Sequence, residues 1–82
     1  MIRVCLPPEL LKHAEALESW ARAWERAVTV LESEAEHVLR RGLLDQALRL
    51  RSAALHLRQV ALEEHRCAAR LRDVAVAHAH PA

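Results

Sequence analysis

Apolar residues recur every seven positions along this chain, in two ladders separated by a glycine. Leu10, Leu17, Trp24, Leu31 and Val38 form the first ladder. Ala14, Ala21, Val28 and Ala35 follow its first four members four residues later. After Gly42 the pattern repeats as Leu43, Leu50, Leu57, Glu64 and Leu71, each followed four residues on by Ala47, Ala54, Ala61, Ala68 and Ala75. Alternating steps of four and three place these residues on one stripe of a helix, at the d and a positions of a heptad. The pattern predicts one all-α domain over 1–82, an antiparallel two-helix hairpin of Ala/Leu coiled-coil character.

The punctuation agrees. Ile2 to Leu6 is a short apolar lead, a strand or simply extended chain, and Pro7-Pro8 stops it because a residue before proline avoids the α region. Pro8 suits a first helical turn, where its missing N–H costs nothing, and Glu9 there complements the helix dipole. Helix 1 is expected over about 8–41, with Arg40 and Arg41 at its C-terminal end and Gly42 as a left-handed cap. A turn over about 42–44 leads into helix 2 over about 45–77, with Asp45 or a start at Leu43 as its N-terminal signal. Ala-His-Ala-His-Pro-Ala is expected to fray.

Folding the ladders back on one another puts Leu31 beside Ala54, and every other layer follows. Ala35 meets Leu50, Val28 meets Leu57, Trp24 meets Ala61, Leu17 meets Ala68, Ala14 meets Leu71 and Leu10 meets Ala75. Large opposes small in nearly every layer, so the axes can approach closely. Flanking charges agree with the same register: position e carries Glu18, Glu25 and Glu32 on helix 1, and Arg51, Arg58, His65 and Arg72 on helix 2. Read at equal heights, these give the pairs Glu32–Arg51, Glu25–Arg58 and Glu18–His65.

Composition narrows the function. The chain has 82 residues, room for one small domain, and domains of this size often gain stability by association. Twelve basic residues against 11 acidic ones leave a net charge of +1, without the basic excess that a nucleic-acid-binding face needs. Eleven of the bases are arginine, which suits interfaces and ion pairs. No apolar run is long enough to span a membrane, and no secretory signal opens the sequence. The cytoplasm is the expected compartment.

One seam does not use all the apolar surface. Leu48, Leu55 and Leu62 form a further row on helix 2, extended by Ala69 and Val76. Leu11, Leu39, Ala16, Ala23 and Val30 add to helix 1, while Trp20, Ala27, Val60 and Cys67 flank the seam on its other side. An exposed leucine row of this length marks a binding surface. The expectation is therefore a non-catalytic protein–protein interaction module. Its partner-binding residues are Leu48, Leu55 and Leu62, with Arg51 and Arg58 at their edge. The hairpin is expected to dimerise into a four-helix bundle or to dock a partner helix.

Candidate chemistry changes this little. Glu64 interrupts the helix 2 ladder opposite Ala21, and a buried carboxylate needs a partner, for which the Trp24 indole N–H is a candidate. Inward-facing Glu and His build ligand and metal sites in bundles, which gives an alternative reading as a metal- or ligand-binding bundle, but the Glu-x-x-His motif of di-metal bundles does not occur. His37 and His56 fall on outer positions, and His13 flanks the seam near Val74. Cys5, His78 and His80 come together at the open end in this register, a weak metal signal. Cys67 reads as a small buried thiol, because His65, two residues away, points in another direction. No phosphate loop, nucleophile elbow or HExxH is present. No enzyme activity, cofactor or metal is expected.

Two resemblances are visible. Ile2-Arg3-Val4-Cys5-Leu6-Pro7-Pro8-Glu9-Leu10-Leu11 looks like the strand-then-helix opening of ribbon-helix-helix repressors, although the helix break which that family needs is absent here. The stretch from Trp20 to Leu62, an amphipathic helix, the turn Arg40-Arg41-Gly42 and a second Ala/Leu/Arg helix, is similar to the small helical-hairpin co-chaperones of type III secretion needle subunits. That resemblance implies a chaperone or adaptor that works as a heterodimer with a helical-repeat protein through its exposed helix faces. The aromatic residue those proteins carry shortly after the turn is missing here.

Overall fold

The computed structural model of the chain describes residues 7–79. They form two helices, α1 (Pro7–Arg40) and α2 (Leu44–Ala79), and no strand occurs among the described residues. The helices pack side by side over their full length, giving a rod of 62 × 19 × 18 Å. The segment Ile2–Leu6, with Cys5, and His80 lie outside the described residues. α1 runs without the break that the repressor-like opening requires.

The turn is built as the glycine predicted. Gly42 takes φ +81°, in the left-handed region that residues with a Cβ avoid. Its N–H donates to the Leu39 carbonyl at 2.9 Å, and the Leu43 N–H reaches back to the Val38 carbonyl at 3.0 Å. This is the Schellman arrangement, which satisfies the last carbonyls of α1. α2 begins one residue before Asp45, with the Leu43 carbonyl accepting from the Ala47 N–H at 3.1 Å. Asp45 sits in the first turn instead, where its charge opposes the positive end of the helix dipole.

The ladder residues make the core, but unevenly. Every a position from Ala14 to Ala35 and from Ala47 to Ala75 is no more than 3% exposed. The d positions between the ends, Leu17, Trp24, Leu31, Leu50, Leu57, Glu64 and Leu71, are only partly covered. Only at the two ends, with Leu10 and Val38, does a d residue become buried. In each middle layer the small partner is inside and the large partner leans out. No large side chain is fully enclosed among the described residues.

Candidate interaction surface

The heptad gives the seam two flanks. The e positions lie beside a, and the g positions lie beside d. These flanks are built differently.

The e flank is closed by ion pairs. Arg72 grips Glu18 with two hydrogen bonds, one of them from Nε to Oε2 at 3.3 Å. His65 Nε2 stands 2.8 Å from Glu25 Oε1, and Arg58 reaches Glu32 Oε1 at 2.5 Å. All three cross between the helices, and their order along the chain fixes the packing as antiparallel. The hydrogen bond from Arg72 holds the Glu18 carboxyl below its usual value, with burial opposing it, and the same bond raises the Arg72 guanidinium.

These pairs correct the expected ones by one heptad. Glu32, Glu25 and Glu18 do not meet Arg51, Arg58 and His65; each reaches the next basic residue toward the open end. The reason lies in how side chains leave a helix. The Cα–Cβ bond tilts toward the helix N-terminus. In an antiparallel pair those tilts oppose. A glutamate on α1 leans toward the open end, and an arginine on α2 leans toward the turn. Residues that are about 7 Å apart along the axis with converging side chains therefore meet, whereas residues about 3 Å apart with diverging ones do not. Arg51, whose counterpart in this register is Leu39, makes no ion pair among the described residues.

The Leu48, Leu55 and Leu62 row stands on the outer edge of this e flank, 55%, 63% and 47% exposed. Leu55 and Arg51 line an open groove of about 570 Å³ with Glu32, Ser33, Glu36 and Arg58. Leu62 lines a second, of about 410 Å³, with Glu25, Thr29, Arg58 and His65. The structure thus brings all five partner-binding candidates to one side of the rod, but in alternation with charges of which Arg58, Glu32, Glu25 and His65 are already engaged with one another.

The g flank is open. Its positions are Trp20 and Ala27 on α1 and Ala53, Val60, Cys67 and Val74 on α2. The next row outward on α1, Ala16, Ala23 and Val30, is also uncharged. Trp20 is 59% exposed and stacks on Trp24, ring centroids 6.1 Å apart. No ion pair crosses on this side among the described residues. In the sequence these residues stand out as a flank of the seam but no more than the leucine row does. The signal that would have done so is the lack of charge at g between His13 and Glu34 on one helix and between Gln46 and the open end on the other.

Glu64 is the one charged residue at a d position. The Trp24 indole N–H donates to Glu64 Oε1 at 3.2 Å, as expected, while Oε2 is buried without a partner. His13, His37 and His56 are exposed, His65 is paired with Glu25, and His78 Nδ1 lies 3.0 Å from the Val74 carbonyl of its own helix. Cys67 is a free, partly exposed thiol. Among the described residues, no group of three or more His, Cys, Asp or Glu side chains stands close enough to hold a metal. No helix there is long and apolar enough to cross a membrane.

No protein-family model matches the chain, and neither a curated protein nor a solved structure matches it.

Proposed function

We propose that this hairpin is a non-catalytic protein–protein interaction module that completes its apolar core by association, with itself or with a helix of another protein. One observation carries the reading: the alanines are inside and the large apolar side chains are outside. A leucine taken from water into a packed interior contributes about 1.5–3 kcal/mol. Here that contribution is only partly realised within one chain, at Leu17, Leu31, Leu50, Leu57 and Leu71. Two of the polar side chains beside the seam are engaged in holding the hairpin together, His65 with Glu25 and Glu64, through one oxygen, with Trp24.

The test is the solution mass of the purified chain by light scattering across a dilution series. A mass of twice 9.3 kDa, stable or dissociating only at the lowest concentrations, supports self-association. A monomer at every concentration would move the reading to a heterodimer with a helical partner, the arrangement the co-chaperone resemblance implies. A second reading rests on Glu64 Oε2, buried without a partner. It makes Glu64 a ligand-binding carboxylate inside an assembled bundle. Under that reading Glu64→Gln abolishes ligand binding and leaves the mass unchanged. The first reading expects Glu64→Gln to be mild or stabilising.

A further inference from the structure

The geometry points to a second copy of this chain packing on the open g flank, face to face, to form a four-helix bundle. The inference rests on the interaction-module reading and names its surface and occupant.

Three observations converge. The first is the exposure gradient across the seam. Residues at a are sealed and most residues at d are not, so the part of the seam itself that stays uncovered faces the side on which d and g lie, separate from the exposed Leu48, Leu55 and Leu62 row on the other side. The second is the pattern itself. A helix that packs in a two-stranded seam needs apolar residues at a and d only, whereas a helix in the interior of a bundle needs a third apolar position, e or g. Here e is charged and closed by three ion pairs, and g, between its polar ends at His13, Glu34 and Gln46, carries Trp20, Ala27, Ala53, Val60, Cys67 and Val74. Both helices therefore follow the bundle pattern, and on the same side.

The third observation is area. The apolar stretch runs about 21 Å along α1, from Leu17 to Leu31, and about 36 Å along α2, from Leu50 to Val74, at 1.5 Å per residue. The rod is 19 Å across. With each helix taking about half of that width, two such faces brought together cover about 1,100 Å², counting both copies, which just reaches the roughly 1,000 Å² that a specific interface needs. The face is long and uncharged at its central g positions, and the row outside it on α2, Arg49, His56, Glu63 and Arg70, carries both signs of charge and so selects no partner of one sign. It does match itself: two rods of equal length, joined through their open flanks, give each helix two neighbours. That is the arrangement of a four-helix bundle. The leucine row at Leu48, Leu55 and Leu62 would remain on the outside of that bundle.

The experiment is light scattering across a dilution series on the whole chain and three variants. Val60→Glu puts a charge at the centre of the open flank. Ala53→Glu puts one on the same flank at a position already exposed in the hairpin, so it does not depend on the hairpin tolerating a change at Val60. Leu55→Glu charges the opposite flank. Far-UV circular dichroism on each reports whether the helices persist. The expected result is a dimer for the parent chain and for Leu55→Glu. Val60→Glu and Ala53→Glu should raise the dimer dissociation constant about a hundredfold or more, because twofold symmetry places each change in the interface twice. If Leu55→Glu dissociates the dimer and Val60→Glu and Ala53→Glu do not, the occupied face is the leucine row; the inference is overturned and the interaction-module reading stands. A parent chain that is monomeric at every concentration, or of any mass other than twice 9.3 kDa, overturns the second copy as occupant.

Discussion

The two flanks of the seam are made from the same two helices and the same heptads, and they end in opposite states. On the e flank, long side chains of opposite sign reach across and cover the a row beneath them. On the g flank, short or aromatic side chains stand beside the d row and leave it partly bare. The difference teaches that seven-residue spacing alone does not close a two-helix core. What closes it is the identity of the third position beside the seam. Charges at e satisfy each other within one chain, whereas an uncharged g row has nothing in the chain to cover it.

The predictions probe that difference, from the largest effect to the smallest. Ala21 at an a position has no exposure, so Ala21→Leu should overpack the sealed side and lower stability by about 1–3 kcal/mol, read as a fall in the midpoint of urea unfolding. The same change on the open side, Ala27→Leu, should stay within about 0.5 kcal/mol when both variants are unfolded at concentrations where the chain is monomeric. Equal losses at both sites would remove the distinction between the flanks. Gly42→Ala should cost about 1–2 kcal/mol of strain, because the left-handed backbone, and not crowding, is what excludes a Cβ there. A thermal melt measures it, and an unchanged melting temperature would mean the turn can re-form another way.

Glu64→Leu removes the one charge in the d row together with an oxygen that lacks a partner. It should raise stability by about 1–2 kcal/mol, and Glu64→Gln should change it far less. A clear loss on Glu64→Leu would show that the Trp24 bond is worth more than restoring the ladder. On the closed side, Glu32→Gln should cost only about 0.2–1 kcal/mol, since both partners of the Glu32–Arg58 pair are about half exposed. The smallest effect is in pH. Glu18 titrates lower in the folded chain than its ordinary 4.5, because Arg72 bonds the charged form. Its contribution is therefore fully present above that ordinary value and is lost as pH falls through the lowered one. Unfolding midpoints followed below about pH 4.5 should decline less steeply in Glu18→Gln than in the parent chain.

Much of the fold was legible because heptads and a capping glycine are local signals. The ladders place the right residues in the seam, and Gly42 marks a turn that only a positive φ can make. Helix ends moved by one or two residues, as frayed termini do. Two features were not legible from spacing. The ion-pair register came out one heptad away because position letters give height and face but omit the lean of each side chain along its helix. The ranking of the flanks was obscured by counting apolar residues. Leu48, Leu55 and Leu62 are large and evenly spaced, yet Arg51, Arg58, Glu25 and Glu32 sit among them. Trp20, Ala27, Val60 and Cys67 look modest in the sequence, and it is the partly bare d row beside them that makes the surface.

Cys67 lies on the open flank and gives the most direct test of the central claim. With Cys5→Ser leaving it as the single thiol, its alkylation rate can be followed from dilute to concentrated solution. The account predicts that the rate falls as concentration rises through the dimer transition, while circular dichroism stays constant. A rate that is the same at every concentration, in samples whose mass shows association, would place the interface elsewhere and contradict the account.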